Sequence, residues 1–388
     1  MHILILGAGY AGLHAAIELD NLLRNQTDLA QITLVDQNPY HQIVQLLHLT
    51  ATAAIQTDAA IVPLNKIMQQ RAVQIRQGRA TQIRPLQRQV VLQDGQALDY
   101  DRLLIALGAE TNYGGVPGAR EHSFPLRTFD EALRLRNHIV ARFAAAAKTA
   151  DPAEQRTLLT FALVGGGYTG CQLAGELAAW APDLCKEFNV PRQEVRIALL
   201  DRSTFLLKQF GTWATRNAER ILDRRGVSIY LDTPVERVEP GELYISGDRV
   251  LRAGTIIWAG GIRAPALLAE SGVPVDASGR VFVDRYLRVR DQALIFAAGD
   301  CAHVPDLGDG PVPSTASYAM RQGTHLADTL LSEIEGIAPR TYEPLKLGEV
   351  VSLGPGEAIG DPLGVPVFGK TAELMKKGIE VWYRSTLE

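Results

Sequence analysis

Residues 1–36 read MHILILGAGYAGLHAAIELDNLLRNQTDLAQITLVD. Four apolar residues, Ile3 to Leu6, predict a short buried strand over residues 2–6. It runs into Gly7-Ala8-Gly9-Tyr10-Ala11-Gly12 and then into a helical run over residues 11–23. A second apolar strand, residues 32–35, ends on Asp36. Each glycine has a separate job in such a turn. Gly7 makes it tight, Gly9 lets backbone approach a pyrophosphate, and Gly12 lets helix pack close to strand. The phosphates then meet free N–H groups at a helix N-terminus. Asp36 follows Gly12 by a little over ~20 residues, where a carboxylate accepts from a ribose hydroxyl.

The pattern occurs twice. Residues 158–164 predict a buried strand, followed by Gly165-Gly166-Gly167-Tyr168-Thr169-Gly170 and a helix over residues 171–180. The next strand, residues 195–200, ends on Asp201. Further on, residues 255–258 followed by Ala259-Gly260-Gly261 mirror residues 103–107, which end on Gly108. Chance glycine loops do not repeat together with their strands and acids, so two nucleotide-binding units are expected in one chain.

Composition narrows the class. A length of 388 residues suits two or three domains, and 46% hydrophobic with 21% charged content is that of a folded soluble protein. A net charge of −4 without a basic tract argues against nucleic acid as a partner. Cys171, Cys185 and Cys301 lack metal-ligand spacing, so free thiols in a reducing compartment and no metal are expected. The first strand begins at residue 2, which leaves no room for a signal peptide, and no apolar run is long enough to span a bilayer. A cytosolic protein, or one bound to a membrane face, is the expectation.

Between the repeats, Gln37-Asn38-Pro39-Tyr40-His41 marks a turn. Residues 61–69 read as helix, residues 73–98 as small antiparallel strands, and residues 130–148 as a long helix closed by Asp151-Pro152. A third strand, residues 294–298, runs into Gly299-Asp300. Ser314 is placed to cap a helix over residues 315–333. The end of the chain has two alternating stretches and a helix over residues 371–386, striped with Leu374, Met375, Ile379, Trp382 and Tyr383.

These residues resemble a known family. Two GxGxxG units with a late strand-Gly-Asp element look like the flavoprotein disulfide-reductase superfamily. More closely, Tyr40-His41, Leu104 to Ala109, Thr169-Gly170 with Ala174-Gly175-Glu176-Leu177, Ile257 to Gly261, Ala298 to Ala302 and Pro313 to Ala316 resemble type II NADH:quinone oxidoreductases. The resemblance implies an α/β fold with two Rossmann-like dinucleotide-binding domains, the NAD domain inserted in the FAD domain. A small C-terminal segment with an amphipathic helix follows. The expected division is 1–118 and 266–342 for FAD, 119–265 for NAD(H), and 343–388 as a membrane or interface segment.

By the same resemblance, non-covalent FAD meets Gly7, Gly9, Tyr10, Ala11, Gly12, Asp36, His41, Ala106, Leu107, Gly108, Gly299, Asp300 and Ala316. NADH meets Gly165, Gly167, Tyr168, Thr169, Gly170, Gln172, Asp201, Gly260 and Gly261. Ser314, Ser317, Tyr318 and Gln322 lie where the quinone is met. No side chain is assigned a catalytic part, because the flavin carries the chemistry. The implied enzyme pumps no protons and sits peripherally on the cytoplasmic side of the membrane, with a homodimer possible.

Two positions depart from the family pattern: Gln172 stands where a glutamate is usual, and Ser317 where a glutamine is usual. Asp201 favours NADH, since a carboxylate repels a 2′-phosphate, while the adjacent Arg202 is the residue type that accommodates one. His41, Trp258 and Cys301 also suit plain structural roles. The rival readings are a sulfide:quinone reductase-like flavoprotein and an NADH-responsive redox binding protein.

Overall fold

The computed structural model describes residues 1–388 except Asn25, Thr27, residues 307–309 and Glu388. In chain order its main elements begin with β1 (His2–Leu6), α1 (Tyr10–Leu23), β2 (Gln31–Asp36), β3 (Val73–Gln77) and β4 (Arg102–Ile105). Then come β5 (Phe124–Pro125), α2 (Phe129–Ala146), β6 (Thr160–Val164), α3 (Tyr168–Phe188), β7 (Arg196–Leu200), β8 (Val227–Tyr230) and β9 (Thr255–Trp258). The chain closes with β10 (Ile295–Ala297), α4 (Ala316–Glu335), β11 (Val350–Ser352), β12 (Ala358–Gly360), β13 (Val367–Phe368) and α5 (Gly369–Ser385).

Two compact units result. The first comprises Met1–Gln42, Ile61–Glu110 and Ile262–Lys346; the second comprises Ile43–Ala60, Thr111–Gly261 and Leu347–Glu388. In the first, a parallel sheet runs β10-β4-β1-β2-β3, with Leu6 opposite both Val35 and Ile105. In the second, a parallel sheet runs β5-β9-β6-β7-β8, with Val164 opposite both Leu200 and Trp258. The plan is one and the same. Each sheet has its glycine turn at the C-terminal end of its central strand, where open α/β sheets bind ligands. Each also carries a three-stranded antiparallel meander, Ala80–Arg84 to Ala97–Asp99 between β3 and β4 in one and Val235–Glu239 to Arg249–Arg252 between β8 and β9 in the other.

After their first residues, His2 and Thr160, the central strands are apolar because both faces are covered: Ile3 to Leu6 and Phe161 to Leu163 have no exposed surface. In the second unit the meander closes one face, Val238, Leu243 and Ile245 packing on Ala162, Leu200 and Trp258. Trp258 is therefore core, and its Nε1–H donates to the Asn112 carbonyl (2.9 Å). The start of α2 is fixed by a capping box in which Thr128 Oγ1 accepts from Glu131 N and Glu131 Oε2 accepts from Thr128 N.

Several local expectations are corrected. Residues 61–69 are not one helix; Ile61–Pro63 is a strand, and a single turn, Leu64–Ile67, follows the proline. Residues 73–77 are no meander strand but the edge of the first parallel sheet, Ile32 opposite Val73. Asp151-Pro152 opens a helix rather than only closing one, because the Asp151 carboxylate accepts from Ala153 N and proline suits a first helical position. Helix α3 starts at Tyr168 and runs through Pro182 to Phe188. At α4 the cap position belongs to Thr315, not Ser314, and no side-chain hydrogen bond closes it.

Candidate functional site: two glycine cradles

The three glycines of each turn do three different things. Gly7 has φ +100° and Gly165 φ +116°, a conformation glycine adopts without strain. A Cβ on either would also run into the carbonyl of the adjacent strand's end, Ala106 or Ala259. A Cβ on Gly12 or Gly170 would strike the carbonyl of Gly7 or Gly165, so helix and turn are in backbone contact. A Cβ on Gly9 or Gly167, in contrast, would have no atom within 4 Å. These two positions look into open space. Both are also helix N-caps without a side-chain hydrogen bond, which leaves first-turn N–H groups directed at that space. The arrangement fits a dinucleotide pyrophosphate in each unit.

In the first cradle the loop is held from both sides at Ala8. Its N–H donates to Asp36 Oδ2 (2.7 Å), and its carbonyl accepts from His41 Nδ1 (2.8 Å). A carbonyl only accepts, so Nδ1 carries the proton. His41 is fully buried, with the Tyr10 ring edge-on at 5.1 Å between centroids, and burial lowers its pKa to about 4. It is a neutral brace beneath the turn. Asp36 Oδ1 accepts from Asn38 N (2.8 Å), closing an Asx turn. Burial pushes the Asp36 carboxyl up, against the pull of these two backbone donors.

The second cradle repeats this with different parts. Asp201 Oδ2 accepts from Gly166 N in a short hydrogen bond, and Oδ1 accepts from Ser203 N (2.6 Å). The Gly166 carbonyl accepts from Leu207 N (2.9 Å) and from the Cys171 thiol (3.3 Å), which together take the place of His41. Gln172 sits half-buried in the first turns of α3. Gly260 and Gly261 are exposed beyond β9, and the Gly261 carbonyl accepts from Asn112 N (3.0 Å).

Around the first cradle three more pieces converge. Gly108, at φ +66°, follows Ala106 and Leu107 at the end of β4. Gly299 lies between α1 and α4, its ideal Cβ 3.4 Å from Ala11 and 3.7 Å from Ala319, with Asp300 next in the chain. Gln322 is buried, and its Oε1 accepts from Gly299 N (2.7 Å). Its placement is that of a brace for the Gly299 turn, a job the sequence does not reveal. At the start of α4, Ala316 and Ser317 are half-buried while Ser314 is exposed. Tyr318 is buried with the Arg321 guanidinium over its ring at 5.0 Å, and Arg321 Nε donates to the Ser317 carbonyl. Cys301 is buried, donates to the Ala298 carbonyl (3.3 Å), and has its thiol pKa pushed up to about 12 by burial, which makes it inert.

In the second unit α5 rests on the small sheet β11-β12-β13. Ala372 and Tyr383 face inward. Leu374, Ile379, Val381 and Trp382 are 68%, 51%, 69% and 57% exposed, far more than a packed helix face leaves open. Lys376 pairs with Glu380 (2.6 Å) and Lys377 with Glu373 (3.0 Å), so both acids of the helix are paired within it. Among the described residues no helix is long and apolar enough to cross a membrane.

Residues 1–323 match the pyridine nucleotide-disulphide oxidoreductase family. The chain is 32% identical over 384 residues to the type II NADH:quinone oxidoreductase of Staphylococcus haemolyticus (strain JCSC1435), covering 97% of this chain and 94% of the relative. It is 31% identical, with the same coverage, to that of Staphylococcus aureus (strain NCTC 8325 / PS 47). Among solved structures, NDH2 from Plasmodium falciparum with NADH matches with a TM-score of 0.89 at 17% identity, over 100% of this chain and 94% of that one. The sulfide:quinone oxidoreductase of Aquifex aeolicus matches with a TM-score of 0.81 at 20% identity, over 100% and 91%; at such identities the likeness is one of fold. The chain belongs to the pyridine nucleotide-disulphide oxidoreductase family and, within it, to the type II NADH:quinone oxidoreductases.

Proposed function

We propose that the protein is an FAD-containing, non-proton-pumping NADH:quinone oxidoreductase held peripherally on the cytoplasmic face of a membrane. The observation that carries the reading is the pair of cradles, each with an open second glycine before an uncapped helix N-terminus. The first suits non-covalent FAD, since Asp300, Ala316 and the Ala106 to Gly108 turn belong to the same unit. The second suits NADH. The net reaction is NADH + H⁺ + quinone → NAD⁺ + quinol, and bound flavin supplies its two-electron chemistry. The protein's part is to hold each nucleotide by its pyrophosphate and ribose. It also presents the first-turn N–H groups of α4, unblocked by any side-chain cap, where negative charge is stabilised. Anaerobic titration tests the reading: NADH should bleach the flavin absorbance and a soluble quinone should restore it. Bleaching by sulfide instead of NADH would reject it. The sulfide reading has little support in the residues, since Cys171, Cys185 and Cys301 are all buried.

For the membrane, the reading rests on the outward face of α5. Burying large apolar side chains contributes on the order of 2 kcal/mol each. Replacing Leu374, Ile379 and Trp382 together by serine should therefore reduce co-sedimentation with lipid vesicles by ~100-fold or more. Undiminished sedimentation, or loss of a dimer in the same variant by analytical ultracentrifugation, would assign this face to a second subunit.

A further inference from the structure

We infer that the second cradle accepts NADPH as well as NADH, through Arg202. The inference rests on reading that cradle as the pyridine-nucleotide site. Its warrant is an internal comparison between two turns of one chain. Asp36-Gln37-Asn38 and Asp201-Arg202-Ser203 make the same Asx turn, carboxylate Oδ1 to the backbone N–H two residues on. In both, Oδ2 accepts from the residue after the first glycine, Ala8 or Gly166. Exposure alternates identically along the two turns: the acid is half-buried, the next residue exposed, the third half-buried. The turns differ at their exposed position. Beside the site assigned to FAD, whose adenosine ribose carries no 2′-phosphate, stands the neutral Gln37. Beside the site assigned to the pyridine nucleotide stands Arg202.

Arg202 makes no hydrogen bond or ion pair among the described residues, so its guanidinium has no structural task here. A guanidinium one residue past the ribose-binding acid is placed to take a 2′-phosphate through paired charge-assisted hydrogen bonds. Two carboxylates oppose this. Asp232 is exposed, and its N–H joins the same turn through the Ser203 carbonyl (3.0 Å). Asp201 is the other, but both of its oxygens already accept from backbone N–H groups, which offsets part of its charge toward a ligand. The balance is a site that prefers NADH and still uses NADPH, in the reaction NADPH + H⁺ + quinone → NADP⁺ + quinol.

The test uses flavin-loaded protein and two redox-inert probes, ADP-ribose and ADP-ribose 2′-phosphate, titrated calorimetrically. Wild type should bind both, the 2′-phosphate within ~100-fold of its parent. Arg202→Gln should weaken the 2′-phosphate at least ~10-fold and ADP-ribose less than ~2-fold, and Arg202→Lys should recover part of the loss. NADPH-driven flavin bleaching should fall in parallel, while NADH-driven bleaching should not. Equal weakening of both probes by Arg202→Gln, or no binding of the 2′-phosphate to wild type, would overturn the inference while leaving the nucleotide site in place. Failure of wild type to bind even ADP-ribose would overturn the assignment of the second cradle, and the inference with it.

Discussion

Gly9→Leu should purify as a folded protein without flavin, and Gly167→Leu should keep its flavin but lose reduction by NADH. The pair separates binding from folding because of where these glycines sit. Gly9 has φ −73° and Gly167 φ −81°, backbone that any L-residue adopts. Neither would place a Cβ within 4 Å of another atom, so a side chain leaves the backbone here without a clash at Cβ. It fills the space through which a pyrophosphate must approach the helix N-terminus. Losing two charge-assisted hydrogen bonds there, at ~1.5–3 kcal/mol each, weakens the nucleotide by roughly 10²- to 10⁴-fold. The neighbouring glycines give the contrast. Gly12→Leu or Gly170→Leu drives a side chain into the loop backbone and should fail at folding. Flavin content by absorbance, thermal melting of the apoprotein, and stopped-flow bleaching by NADH read the three outcomes. A Gly9→Leu protein with full flavin would remove the first cradle from the FAD site. A Gly167→Leu protein still reduced at the wild-type rate would do the same for the second.

That contrast also shows what the sequence could and could not reveal. The spacing of strand, three glycines, helix and acid is set by backbone geometry, and backbone geometry recurs, so both turns were legible from residues 1–36 and their repeat. The braces were not. Ala8 is held by Asp36 on one side and His41 on the other, while Gly166 is held by Asp201, Leu207 and the Cys171 thiol. The same carbonyl is satisfied by three unrelated chemistries, none with a fixed spacing from the glycines. Only the Asx turns, Asp-x-Asn and Asp-x-Ser, carried a local signal that could have been read. Gln322 is hidden for the same reason, since its partner Gly299 lies on another element.

Edges were misread where a proline or a short strand decided them. Pro63 ends a strand instead of breaking a helix, and Pro152 begins a helix. Val73 to Gln77 alternates in sequence like a meander strand yet is recruited to an edge of the parallel sheet, where only Val73 is buried and Ile75 stays 37% exposed. On α5 the apolar stripe was legible, but its direction was not: Tyr383 turns inward while Trp382, one residue earlier, faces out. Spacing along a helix gives the stripe's width and leaves the choice of partner to tertiary packing.

Acidification from pH 6.5 to 4 should release flavin and destabilise the first unit, with His41 and His14 as the responsible groups. Burial lowers both from the ordinary 6.5 to about 4. The unfolded chain therefore takes up protons near pH 6.5, while the folded protein resists until about pH 4. Between these values the unfolded state holds more protons, so stability falls as pH falls and levels off below the window. A shift of this size corresponds to at most about 3 kcal/mol per histidine. Each charge also disfavours the other, so the two titrate as a coupled pair. Glu349, in the second unit, works with the opposite sign. Burial and the neighbouring Asp361 raise its carboxyl from 4.5 to about 7, so its stabilising contribution, present at low pH, is lost as pH rises through that interval. Global melting would mix the two, whereas flavin release reads the unit that holds the first cradle. His41→Gln keeps an N–H donor for the Ala8 carbonyl and removes the titrating ring. Its flavin release should depend less steeply on pH between 6.5 and 4 than that of wild type, with similar retention at pH 8. If the two proteins release flavin along the same pH curve, protonation of His41 is not what loosens the turn, and the acid response must come from His14 alone or from outside the cradle.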